Sequence, residues 1–131
     1  MKKLSLALLL ASPFLFSCSL PSKAPSCADK VAIAFTTSVA TPGIWNCFDA
    51  YMQGHLQGHD DSVLAGASAF NAYHQIAASD EVVVYELTIN MNDPSVQAAI
   101  SSGVSVPPHA TLTVWVDVHG KIGGFNVGLP Q

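Results

Sequence analysis

The chain has 131 residues, half of them hydrophobic, with five lysines, nine carboxylates and no arginine, for a formal charge of −4 at neutral pH. An acidic, arginine-free chain lacks the phosphate-neutralising footprint of a nucleic-acid binder, and it offers no polybasic surface to anionic lipid. Its length is one domain's worth, enough for a single core.

Lys2 and Lys3 precede an apolar run from Leu4 to Ala11 that resumes at Phe14 after Ser12 and Pro13. The run is too short to span a bilayer, which takes about 20 apolar residues, and it suits the h-region of a secretory signal. It ends in Leu15-Phe16-Ser17-Cys18: an aliphatic residue, a variable one, a small one, then cysteine. This stretch resembles the lipobox of bacterial lipoproteins. The resemblance implies that residues 1–17 are a signal peptide and that Cys18 receives lipid. The protein would then sit on the extracytoplasmic face of the cell envelope, held to the membrane by that lipid. The alternative is an ordinary signal peptide with Cys18 an ordinary mature cysteine.

If Cys18 is acylated, Cys27 and Cys47 are left as an even pair in an exported domain, which usually means a disulfide. It would close a loop of about 20 residues, worth roughly 3 kcal/mol in the chain-entropy model. A helix of about a dozen residues between them would be some 18 Å long, so the chain must fold back sharply. Two free thiols, or a pairing that includes an unlipidated Cys18, are the alternatives.

Residues 18–26 hold Pro21, Pro25 and several serines, and read as an extended tether. The domain itself is expected over 27–131. Ser26 followed by Asp29 predicts a capped helix over about 27–40, with Val31, Phe35 and Val39 on one face. Thr41-Pro42-Gly43 breaks it. A second helix is expected from Ile44 or Trp45 to Gly58, with Trp45, Phe48, Met52 and Leu56 as its stripe. A third, capped by Asp60 or Asp61, would run to Ala77 and carry Val63, Ala67, Phe70, His74 and Ala77.

The character then changes. Glu81 to Asn90 is β-branched and alternating, a strand with Val83, Tyr85, Leu87 and Ile89 on one face. Asp93-Pro94 is a cap followed by proline at the first helical position, predicting a short helix that Gly103 stops. Thr111 to Val118 alternates again: Leu112, Val114, Val116 and Val118 inward, Thr113, Trp115 and Asp117 on the other face. His119-Gly120 turns the chain into a partner strand over 121–128. The inward phase slips between Ile122 and Phe125, which predicts a β-bulge at Gly123-Gly124. Helices followed by strands imply an α+β fold, with N-terminal helices packed on a curved antiparallel sheet.

The helical start and the closing stretch Thr111 to Val127, with its turn ending in glycine, Lys-Ile pair and aromatic residue, look like the cone-shaped NTF2-like (SnoaL-like) superfamily. That superfamily usually has more strands than the three read here. Tyr73 to Ala78, drawn as helix, is the place for an early one. The resemblance implies a pocket between helices and sheet. Its members include small isomerases and dehydratases, ligand binders and association domains, so fold does not choose function.

Tyr51, His55, His74, Tyr85, Trp115 and Asp117 are the candidate pocket residues. In an isomerase-like site a carboxylate moves a proton while a tyrosine stabilises the oxyanion. Tyr85 and Asp117 are of those types, but their strand phases put them on opposite faces. No nucleophile–base–orienter set is recognisable, so no catalytic residue is assigned. His55 and His59 lie four apart beside Asp60-Asp61, but Gly58 breaks the helix that would align them, so no metal site is assigned. The glycines of the last hairpin make no phosphate loop, and no cofactor is expected. The resulting expectation is a lipid-anchored, extracytoplasmic domain. It would bind a small apolar ligand in the cone, or a protein partner or second copy through the sheet. The alternative is a small isomerase or lyase using an acid and a tyrosine.

Overall fold

A computed structural model describes residues 24–65 and 69–129. The signal segment, Cys18, most of the tether, and Gly66 and Ala67 lie outside these residues. The elements in order are α1 (Cys27–Phe35), a 3-10 turn (Trp45–Cys47), α2 (Ala50–His55), β1 (Phe70–Ala78), β2 (Val82–Ile89), α3 (Pro94–Ser101), β3 (His109–Val116) and β4 (Ile122–Gly128). The four strands form one antiparallel sheet in the order β1-β2-β3-β4. The domain is therefore α+β.

The first helix starts where its cap predicts. The Ser26 hydroxyl accepts from the Asp29 N–H at 3.1 Å, and the Asp29 carboxylate accepts from the Ser26 N–H at 3.2 Å, a reciprocal capping box. The helix ends at Phe35, five residues earlier than expected. Thr36 stops it by turning its hydroxyl and its N–H back onto the Ile33 carbonyl, the local competition that makes threonine a poor helix interior. Val39, assigned to the buried stripe, is consequently exposed.

The shorter helix removes the geometric difficulty of the disulfide. Gly43, at φ +81°, reverses the chain and returns the 3-10 turn to the first turn of α1. Cys27 and Cys47 are joined there with their Cα atoms 5.3 Å apart.

The second expected helix is interrupted. Phe48 is extended, and its neighbour Asp49 donates its N–H to the Ile122 carbonyl at 3.0 Å, linking this segment to β4. Asp49 then caps α2 by accepting from the Met52 N–H at 2.9 Å. Tertiary pairing with β4 thus replaces one turn of helix.

The third expected helix is not formed. Residues 61–65 are turns, and Phe70–Ala78 is a strand paired with β2. Register shifts leave Asn71 and Ile76 as extra residues against β2. Each bulge inverts the alternation, so the stretch shows no period of two. It is rich in alanine and lies at an edge, exposed along nearly its whole length. Local propensity pointed to helix, and the β-branched β2 beside it decided otherwise. His74 therefore sits on a strand, not on an apolar helical stripe.

The remaining strands follow their predicted faces. Tyr85, Leu87, Leu112 and Val114 are fully buried. Trp115 pairs with Gly124 and Val116 with Ile122, so Gly123 is the bulged residue. Val118, assigned inward, is 95% exposed, because the strand ends at Val116 and the chain is already turning. Asp93 caps α3, with Pro94 at its first position.

The core lies between α1 and the inner sheet face. Ala28 and Ala32 let α1 approach closely, and Val31, Ile44, Phe48 and Ile122 fill the space beside them. Phe35 bridges the two edges of the sheet, with ring centroids 6.1 Å from Phe70 and 5.8 Å from Phe125. The outer sheet face has no helix over it among the described residues.

Candidate functional site

Tyr85 lies at the centre of the inner face with no solvent exposure. Its hydroxyl donates to Asp29 Oδ1 at 2.6 Å, and the Tyr73 ring packs edge-on against it at 5.9 Å. Burial, reinforced by the hydrogen bond to the Asp29 carboxylate, holds this phenol well above the usual tyrosine range. The hydroxyl is spent on the Asp29 carboxylate inside the fold.

Asp117 is on the opposite side, in the β3–β4 turn. Its Oδ1 accepts from the backbone N–H groups of His119 at 2.8 Å and Lys121 at 2.9 Å. These bonds, with that of Lys121 foremost, hold the carboxyl below its ordinary range. Asp117 is a turn-shaping residue. The acid and the tyrosine do not share a site.

His74 stands on the outer face, where its Nδ1 is 3.8 Å from Glu86 Oε1. His109 Nε2 approaches the same oxygen at 3.9 Å from the other flank. This row of His74, Glu86 and His109 was not singled out from the sequence. It becomes visible only once the register aligns His74 with Glu86 and His109 with Thr88.

Tyr51 and His55 form a stacked pair on exposed α2, with ring centroids 4.2 Å apart. The Nδ1 of His55 lies 2.8 Å from the Tyr51 carbonyl, so that nitrogen carries the proton.

The histidine–aspartate stretch is structural. His59 packs edge-on to Trp45 at 5.7 Å. Asp60 accepts from the Ser62 hydroxyl and N–H. Asp61 accepts from the N–H groups of Gly43 at 2.8 Å and Trp45 at 2.9 Å, clasping the reversal loop. Among the described residues, no three His, Cys, Asp or Glu side chains are placed to hold a metal ion.

Of the six candidate pocket residues, Tyr51 and His55 pair on α2, and two others share a groove. Trp115 and Asp117 line a groove of about 920 Å³ with Asp80, Glu81, Val116, Val118 and Gly120. The groove opens at the end of the sheet where the β1–β2 and β3–β4 turns meet. Asp80 and Glu81 lie in the turn between β1 and β2. Their place beside Trp115 follows from the pairing of Val82 with Trp115, which one strand's sequence does not contain.

Among the described residues, no helix is long and apolar enough to cross a membrane. Compared with known proteins, the chain matches no family model, no curated protein and no solved structure.

Proposed function

We propose that this protein is a lipid-anchored, extracytoplasmic association domain that engages a protein partner through the outer face of its sheet. The observation that carries the reading is the asymmetry of the sheet. Its inner face is closed by α1 and the residues around Phe48. Its outer face presents Val82, Val84, Thr113 and Trp115 without a covering element among the described residues. Four strands of seven to nine residues make a face of roughly 25 Å by 15 Å, the scale of an association patch.

The filled inner side supports association over a ligand held in a cone. The enclosure of Tyr85 and the distant placement of Asp117 weigh against the isomerase or lyase alternative. Kinship with the NTF2-like superfamily is supported by the helix-first order and the bulged closing hairpin. Anchoring is supported by the lipobox-like Leu15-Phe16-Ser17-Cys18 and by the acidic, arginine-free domain, which has no electrostatic route to a membrane of its own.

The association is tested by placing a photo-crosslinking amino acid at Thr113, on the outer face, or at Gln97, on α3, in the full chain in its native envelope. Discrete adducts from position 113 and none from position 97 are expected. Adducts from neither position, or equally from both, defeat the reading. The anchor is tested by mass spectrometry of the mature protein, which should begin at a diacylglyceryl-modified Cys18; a soluble product beginning elsewhere refutes it.

A further inference from the structure

The groove at the end of the sheet has a composition that the fold does not require. Two turns meet there. In one, the Ser79 N–H donates to the Val82 carbonyl at 2.8 Å across Asp80 and Glu81. In the other, the Gly120 N–H donates to the Asp117 carbonyl at 2.9 Å. A backbone bond from the Val116 N–H to the Glu81 carbonyl, 2.9 Å, holds the two together.

Trp115 forms the aromatic part of the groove. Its strand neighbour Gly124 has no side chain, and a Cβ there would lie 3.6 Å from the indole. The ring thus packs against bare β4 backbone on one side, a familiar way of covering a glycine in a sheet, and remains 44% exposed. Covering Gly124 accounts for an aromatic residue here. It does not account for Asp80 and Glu81, which line the same groove; Asp117, the third carboxylate there, is taken up by the turn.

Lys121 and His119 act on Asp117, but no lysine is among the residues that line the groove with Asp80 and Glu81. Lys121, the nearest, sends its ammonium to the Asn46 carbonyl on the far side of the hairpin. The other basic side chain of the turn is His119. A ligand that complements this groove must carry positive charge and also tolerate Trp115, Val116 and Val118 as neighbours. A hydrated metal ion does not meet the second condition. An ammonium on an apolar body meets both, because the indole face attracts cations and the valines accept alkyl groups.

We propose that this groove binds a small organic cation, a quaternary or alkyl ammonium seated against the Trp115 indole and balanced by Asp80 and Glu81. The groove volume of about 920 Å³ is within the usual range of small-ligand sites, roughly 300–1,000 Å³. Trp115 also belongs to the sheet face proposed for association, but the groove reading needs no partner bound there.

Choline chloride at constant ionic strength is the probe. Saturation-transfer NMR on the full chain reads magnetisation passed from protein to the choline methyls. A saturable signal is expected that tetramethylammonium competes away and sodium does not. Trp115→Leu should weaken the apparent affinity about two- to fivefold, the loss of one exposed cation–π contact. Asp80→Asn combined with Glu81→Gln should weaken it further and remove its salt dependence. All three side chains are on the surface, and circular dichroism confirms that each variant is folded. No saturable signal, or affinity unchanged in both variants, overturns the proposal.

Discussion

The Tyr85 hydroxyl donates to Asp29 Oδ1 across 56 residues of chain, and the same carboxylate caps the first helix through its other oxygen. One aspartate therefore fixes both where α1 begins and how it seats on β2. Tyr85→Phe keeps the ring packing and removes the bond. Because the acceptor is charged, it should cost about 1.5–3 kcal/mol, measured by urea denaturation at neutral pH.

The same tyrosine sets a response to alkali. Its folded-state pKa lies above the unfolded value of 10.0. Above pH 10 the unfolded chain releases this proton while the folded chain keeps it, so stability is fully present below pH 10 and falls as pH rises beyond it. Tyr85→Phe should lose this contribution to the decline, and Tm measured between pH 9 and pH 11 compares the two. Parallel slopes would show that Tyr85 does not carry it.

Acid acts through different groups. Asp60, Asp61, Asp93 and Asp117 are all held below 3.8 by hydrogen bonds: Asp60 and Asp93 chiefly through the hydroxyls of Ser62 and Ser95, Asp61 through the Gly43 N–H, Asp117 through the Lys121 N–H. Their contribution is present above pH 3.8 and lost as pH falls through the depressed folded values. Asp61→Asn should lower stability at pH 7 and flatten this acid limb, because it loosens the clasp on Gly43 and Trp45. A variant with an unchanged limb would assign the effect to the other carboxylates.

The disulfide should matter through the unfolded state. Cys27 and Cys47 are 20 residues apart, and opening such a loop costs about 3 kcal/mol in the chain-entropy model. Cys27→Ser with Cys47→Ser should lower the urea midpoint accordingly. Alkylation of the unreduced, denatured protein should find neither cysteine free.

Thr41 is a place where the fold can be improved. Its side chain is buried, and its hydroxyl has no hydrogen-bond partner among the described residues. Thr41→Val keeps the shape and removes a polar group whose burial is uncompensated. It should be neutral or stabilising by about 1 kcal/mol, read from the same denaturation curves. A clear loss of stability would show that the hydroxyl is paired in solution.

By itself the sequence determined the features that depend on near neighbours. These include the Ser26–Asp29 cap, the Asp93-Pro94 start of α3, the faces of β2 and β3, and the bulge at Gly123. Each rests on residues a few positions apart, and alternation survives wherever a strand is regular and covered on one side. Tertiary structure decided β1, which the family resemblance offered only as an alternative over Tyr73 to Ala78 and whose two bulges erase the alternation, and it alone decided the break at Phe48, made by pairing with β4. It also decided the candidate sites. Tyr85 was legible as an inward residue but not as the partner of Asp29. Trp115 was legible as an outward residue but not as the neighbour of Asp80 and Glu81. Strand register creates such pairings, and register is a relation between segments that no single segment contains.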